Sequence, residues 1–261
     1  MSLKGKLDRW LATRFSRRMV PMRNRVPIVS FTFDDFPESA ATIGGSILED
    51  RQARGTFYLA GALLGRLSGG VQMASHEQVG QLLKVGHEIG CHTFTHTGVP
   101  QLGPAALTKE LSASAAAFSQ CHGGTLTSFS YPFGSMNLTA KRILARRFTS
   151  CRSAQPGIHA GKVDLACLKA IRLYDLTIDR ARLDTCMSEL VHKAGWLIFY
   201  THDVSERPTQ WGCSPRLIEY ALDRALALGI EVLTVRDALE KITFGGAEHV
   251  RGHRGSDKAS A

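Results

Sequence analysis

The sequence has no Cys-x-x-Cys pair, no apolar run long enough to cross a bilayer, no internal repeat, and no linker that would split its body in two. Each absence removes a class. A membrane-spanning helix needs ~18–20 consecutive apolar residues, and none is present. The six cysteines (Cys91, Cys121, Cys151, Cys167, Cys186, Cys213) are scattered, which fits free buried thiols rather than a disulfide framework. The basic N-terminus is not followed by a short apolar segment with a small-residue cleavage site, so no secretory signal is read and a cytoplasmic protein is expected. Without a repeat or a linker, the body is expected to be a single domain.

What is present is ordinary in bulk and uneven in distribution. Apolar residues make up 44% and charged residues 21% of 261, as in globular chains with a sizeable core. The net charge of +9 is concentrated at one end. Residues 1–25 carry Lys4, Lys6, Arg9, Arg14, Arg17, Arg18, Arg23 and Arg25 against Asp8 alone. The body is therefore close to balanced, which argues against a nucleic-acid partner. Leu3, Leu7, Leu11, Phe15 and Met19 recur every fourth residue with Trp10 beside them, an apolar stripe on a basic helix. Such an arm either packs on the body or lies through residues 1–20 on anionic lipid as a peripheral contact. The expected organisation is an arm over 1–25, a body over 26–243 and a disordered tail over 244–261 rich in Gly, His and Ser.

Strand-like and helix-like runs alternate along the body. VPIVSFTF, GTFYLAG, EIGCHTF, TSFSYPF, the segment around FTSCRSA, KAIRLYD, WLIFYTHD and EVLTV read as strands by their β-branched and aromatic content. SHEQVGQLLKVG, PAALTKELSASAAAFSQ, TAKRILARRF, RARLDTCMSELVHKAG and SPRLIEYALDRALALG read as helices between them. The last has Ser214 as N-cap, Pro215 at the first helical position and Gly229 as a stop. Sustained β-α alternation implies an α/β fold with a parallel sheet, closed or doubly wound.

Polar residues gather where the strands give out. FTFDDFPESA sets Asp34 beside Asp35 at the end of an apolar run. Two adjacent like charges can simply make a turn. GHEIGCHTFTH brings His92 and His96 four residues apart. On a straight strand they would stand about 13 Å apart at ~3.3 Å per residue, so sharing one ion requires a bend after Cys91. WLIFYTHDV carries His202 and Asp203 at another strand end. In a parallel barrel these positions meet at the C-terminal mouth. One carboxylate and two imidazoles make a three-ligand set for Zn²⁺ or a similar divalent ion, with a coordination position left open.

TFDD, HTFTH, YPFG and THD, in that order and at strand ends, resemble the polysaccharide deacetylase family, which shares the NodB homology domain and is also called carbohydrate esterase family 4. The likeness runs from about Ile28 to about Leu239 and includes RGTFYLAG. The resemblance implies a single-domain distorted (β/α) barrel of about seven or eight strands and metal-dependent removal of acetyl groups from N-acetylated sugars. By position it makes Asp34 the general base and His202 the general acid. It makes Asp35, His92 and His96 the ligands of one divalent ion, Zn²⁺ first, with Co²⁺ or Ni²⁺ as alternatives. The third motif makes the Phe133 backbone N–H an oxyanion donor, with Tyr131 beside it. The family's commonest form has an arginine ahead of the Pro-aromatic-Gly step, where this chain has Ser130 and Tyr131. Arg172 is the candidate to supply that charge, unless it forms a structural salt bridge. Asp175 and Asp203 are candidates for tuning His202. Trp211 either stacks on a sugar or packs down on the barrel. Asn137 opens a glycosylation-type NLT sequence, read more simply as a helix start.

Three other readings compete. His202-Asp203 also occurs in metal phosphohydrolases, though there on helices. A catalytically silent carbohydrate-binding relative would fit the missing arginine, and an O-acetyl esterase of the same fold would keep the machinery. The glycan, the metal and the oligomeric state are not written in the sequence. Without a secretory signal, an intracellular chitooligosaccharide, lipid-linked or capsule-type precursor is expected.

Overall fold

Strands buried on both faces lose the polar-apolar alternation of a surface sheet, and the first long strand shows this: all seven residues of β1 (Ile28–Asp34) are buried. The computed structural model describes residues 3–121 and 123–245. After β1 come β2 (Thr56–Leu59), β3 (Glu88–Cys91), β4 (Ser128–Ser130), β5 (Ser150–Arg152), β6 (Ile171–Arg172), β7 (Trp196–Thr201) and β8 (Glu231–Val232). They form one parallel sheet in the order β6-β7-β1-β2-β3-β4-β5. β7 runs along β1 from Ile28 to Phe33, so the other edge of β1 is shared. β8 takes Ile28 and Val29, and β2 takes Thr32 to Asp34. The result is a curled, open barrel of eight parallel strands, as the sequence led us to expect.

The helices are α1 (Leu3–Arg14), α2 (Gly45–Glu49), α3 (His76–Lys84), α4 (Pro104–Gln120), α5 (Leu138–Arg147), α6 (Arg180–Lys193), α7 (Pro215–Ala227) and α8 (Val235–Phe244). Their starts follow local chemistry. Ser75 and Gln78 form a reciprocal capping box at α3. The Asn137 side chain accepts from Ala140 N at 2.8 Å and so caps α5. Ser214 and Pro215 open α7. α2 and α8 were not read from the sequence.

β7 divides the core by its period of two. Leu197 and Phe199 join the large cluster under the outer helices, while Trp196, Ile198 and Tyr200 face a second cluster with Val235, Ala238 and Ile242 of α8. α8 meets the start of the strands: Val235 N donates to Thr56 Oγ1 at 2.9 Å and Arg236 N to Glu88 Oε2 at 2.8 Å. The opposite, C-terminal ends are left open for the site.

The arm is joined to the body from its middle onward. Lys141 of α5 is fully buried and donates to the carbonyls of Ala12 and Phe15, at 2.9 and 3.2 Å, and to Asp164 Oδ2 at 2.8 Å. Met19–Pro21 then pairs antiparallel with Lys162–Asp164. The tail expected from 244 lies outside the described residues from 246 on. All six cysteines are buried and unpaired. Among the described residues no helix is long and apolar enough to cross a membrane.

Candidate active site

Four residues at the strand ends hold positive φ although none is glycine: Asp35 (58°), Thr93 (60°), His96 (58°) and Phe133 (57°). Left-handed backbone costs an L-residue roughly 1–2 kcal/mol, and such strain gathers where loops are bent to present side chains. The bend at Asp35 turns its carboxylate away from that of Asp34. The bends at Thr93 and His96 fold back the chain that would otherwise hold the two histidines far apart. Glu110 of α4 holds that fold: its Oε2 accepts from Phe94 N at 2.9 Å and Thr95 N at 2.8 Å, and its Oε1 from Thr95 Oγ1 at 3.0 Å.

Asp35, His92 and His96 consequently converge, with one ligand atom from each lying within 4.8 Å of the others. Asp35 Oδ1 stands 3.6 Å from His92 Nε2 and 3.2 Å from His96 Nε2. His92 Nδ1 lies 2.8 Å from the Ser130 carbonyl. A carbonyl can only accept, so Nδ1 carries the proton and Nε2 is left as a lone pair. Burial pushes His92 down to about 3 and also lowers His96, so both imidazoles are neutral. Burial likewise pushes Asp35 up to about 6. Its Oδ1 is buried with no hydrogen-bond donor. An orphaned acceptor facing two ring nitrogens is the pattern that a divalent cation satisfies.

Asp34 has a different partner. Burial, the largest single influence, would raise its pKa, but the Arg152 guanidinium, with His92 and His202 adding to it, outweighs burial and holds the carboxyl below its usual value. Arg152 Nη2 donates to Asp34 Oδ1 and to Ser130 Oγ. The guanidinium is fully buried, 5.2 Å from the Tyr58 ring centroid and 4.8 Å from that of Tyr200. Arg172 does not do this work: its Nε donates to Tyr200 Oη at 3.0 Å. Sequence reasoning missed Arg152 inside FTSCRSA, although an arginine closing a strand of small buried residues was the available signal.

His202 follows β7 and faces the same cavity of about 350 Å³ as Asp34, Asp35, His92 and His96. Its Nδ1 lies 3.1 Å from the Trp211 carbonyl, which again puts a proton on Nδ1 and leaves Nε2 outside that contact. The Trp211 ring is half exposed at the rim, 6.1 Å from Tyr174. Phe133 is exposed on the opposite rim, 4.5 Å from the His96 ring. Three residues grouped with the site do not face it. Tyr131 is buried and donates to the Ala166 carbonyl at 3.1 Å, so its ring belongs to the core. Asp203 accepts from Thr209 N at 2.8 Å, and Gly212 packs so close to it that a Cβ would collide. Asp175 accepts from Ser214 N at 2.8 Å. Both carboxylates pin the loop that carries Trp211 rather than His202 itself.

Comparison with known proteins bears on the family and the fold. Residues 22–147 match the family model described as polysaccharide deacetylase. A bifunctional xylanase/deacetylase of Pseudobutyrivibrio xylanivorans is 26% identical over 112 residues, 43% of this chain and 17% of that protein. The chain thus spans about a sixth of that relative's length. Among solved structures, the chitin deacetylase of the fungal pathogen Colletotrichum lindemuthianum superposes with a TM-score of 0.62 at 17% identity, over 84% of this chain and 92% of that one. A family 4 acetyl xylan esterase of Clostridium thermocellum, in complex with cobalt, gives 0.57 at 19% identity, over 82% and 90%. At these identities the likeness is one of fold.

Proposed function

We propose, for a chain that belongs over residues 22–147 to the polysaccharide deacetylase family, that it removes acetyl groups from N-acetylated sugars with a divalent metal ion. One observation carries the proposal. An Asp-His-His ligand set, an arginine-held carboxylate and an imidazole share one cavity.

Asp35, His92 and His96 would hold the ion, and two nitrogens with one oxygen suit Zn²⁺, with Co²⁺ or Ni²⁺ as alternatives. When bound, the ion would polarise the acetyl carbonyl and make water a better nucleophile at neutral pH. The chain's own groups then have separate tasks. Asp34, kept ionised by Arg152, accepts the proton of the attacking water. Arg152 and Ser130 fix the direction of that carboxylate. The Phe133 backbone N–H receives the oxyanion. His202, its Nδ1–H anchored on the Trp211 carbonyl, acts in its imidazolium form. The Nε2 proton goes to the leaving nitrogen, the ring is left neutral, and the proton taken up by Asp34 restores it for the next turnover. An amide nitrogen leaves poorly unless protonated, which is why an acid must stand opposite the base.

The substrate class proposed is an N-acetylglucosamine-containing oligo- or polysaccharide or a lipid-linked precursor. Six buried, unpaired cysteines support a reducing, cytoplasmic setting. The basic arm supports peripheral contact with the inner membrane face.

Acetate release should be measured on N-acetylated oligosaccharides, lipid-linked glycans and O-acetylated sugars, before and after chelation. The expected result is release from N-acetylated substrates that stops on chelation and returns with added Zn²⁺, Co²⁺ or Ni²⁺. Release confined to O-acetylated sugars would make the protein an esterase. Full activity in excess chelator would remove the metal from the proposal.

A further inference from the structure

The active-site cavity does not end at the reacting groups. It shares Ala154 and Arg172 with a second cleft of about 310 Å³, whose lining also includes Pro156, Ile171, Ile178 and Arg182. No Asp or Glu lines this cleft, and its two charged side chains are both arginines. A cleft continuous with a sugar site has the form of a subsite, and its charge is of one sign.

Arg172 stands where the two spaces join. It closes β6 and is exposed. Its Nε is anchored on Tyr200 Oη at 3.0 Å. That phenol is itself fixed: the Tyr200 ring is buried, 5.5 Å from Tyr174 and beneath the Arg152 guanidinium. Among the described residues Arg172 forms no ion pair, and Nη1 and Nη2 make no hydrogen bond. Other arginines here are matched: Arg152 with Asp34, Arg51 with Asp223 and Arg224 with Asp184. Nor can the cavity's carboxylates serve Arg172. Asp34 is committed to Arg152 and Asp35 faces the two imidazoles. A guanidinium held by one nitrogen, with two outer nitrogens unused, is built to receive a carboxylate or phosphate through paired N–H groups.

We infer that Arg172 is a substrate-selecting residue: it recognises a negatively charged group, carboxylate or phosphate, on the unit next to the one that loses its acetyl group. Arg182, in the first turn of α6, adds a second cation to the same cleft. The inference rests on the deacetylase reading and narrows its substrate class to anionic glycans.

The test is calorimetric titration with three ligands, none of them acetylated: a neutral oligosaccharide, the same oligosaccharide with one uronic acid unit, and the same with a terminal phosphate. At low salt the wild-type protein should bind one anionic form about tenfold tighter than the neutral one, and this advantage should shrink in about 0.5 M salt. Tighter binding of the uronate form identifies a carboxylate, and of the phosphorylated form a phosphate. Arg172→Gln should erase the advantage, and Arg172→Lys should keep part of it, since lysine retains the charge without the planar fork. Equal wild-type binding of all three ligands, or an undiminished advantage in a folded Arg172→Gln protein, overturns the inference. No step of this measurement uses catalysis. A binding advantage in a protein that releases acetate from no substrate would sink the deacetylase reading and leave the anion site standing.

Discussion

Asp34 and Arg152 meet across 118 positions of sequence, and their contact gives two neighbouring aspartates different chemistries. Asp35, bent away by its left-handed backbone, faces two neutral imidazoles. Asp34 faces a guanidinium packed between tyrosine rings. A buried ion pair of this kind adds little net stability, because desolvation offsets most of the attraction, so its value lies in geometry. Ser130 ties the two halves together, since its hydroxyl accepts from Arg152 and its carbonyl from His92. The serine found where the family's commonest form has arginine is therefore the group that steers an arginine arriving from the next strand. Asp34→Asn should bind metal normally and lose ~10²–10⁴-fold in turnover, the usual worth of a general base. Arg152→Lys should keep the charge but lose the planar guanidinium, which packs between Tyr58 and Tyr200 and so aims its one Nη2 at both Asp34 and Ser130. It is expected to lose about tenfold or more in kcat with metal content unchanged. Acetate-release kinetics with parallel metal analysis checks both. Near-native turnover in Asp34→Asn would remove the base from the mechanism.

At the scale of the elements, what was legible follows from burial. Strands buried along their length, such as β1, β2 and β7, read as unbroken apolar runs. The short, partly exposed β6 and β8 were recognisable instead from the β-branched and aromatic residues around them. Five helices of the body, α3 to α7, were recognisable as well. The strand ends stood out because Asp34, Asp35, His92, His96 and His202 interrupt those runs. Arg152 was hidden because β5 has only three residues and a strand-ending arginine looks like a surface group until Tyr58 and Tyr200 enclose it. Glu110 was hidden because it sits mid-helix in LTKELS, where a glutamate is ordinarily solvated. Its role appears only once α4 lies against the loop after β3. That role is positional: Glu110 accepts three hydrogen bonds that hold Phe94 and Thr95, and so sets where His96 stands. Loss of a group that orients a ligand typically costs ~10–100-fold in metal affinity. Glu110→Ala is expected to weaken metal binding by about that factor, and to lower activity at limiting metal while saturating metal restores it. A metal titration with an unchanged midpoint would assign Glu110 to loop stability alone.

At the scale of the whole molecule, the arm poses two demands that the structure separates along its length. Its far half is built into the fold. Lys141 has no solvent contact, and two of its three acceptors are the carbonyls of Ala12 and Phe15 at the end of α1, where a cation also suits the helix dipole. Arg18 adds donors to the Ala145 and Phe148 carbonyls at the end of α5. Yet the same segment leaves Trp10, Phe15 and Met19 exposed at 48%, 52% and 42%. Beside them a cavity of about 370 Å³ is lined by Arg17, Met19, Lys162 and Lys169. Apolar side chains flanked by cations are what a peripheral helix offers an anionic bilayer, with each basic group near the surface contributing ~1 kcal/mol that salt screens away. Removing residues 1–20 would therefore disturb stability and any lipid contact together. Removing residues 1–8, or exchanging Trp10 and Phe15 for serine, leaves the Lys141 acceptors in place, because both are main-chain carbonyls. The 1–20 deletion is expected to lower the melting temperature clearly. The shorter deletion and the serine exchange should leave it near the native value, yet reduce sedimentation with anionic vesicles at low salt. If the full chain stays in the supernatant with those vesicles, the arm serves the fold alone.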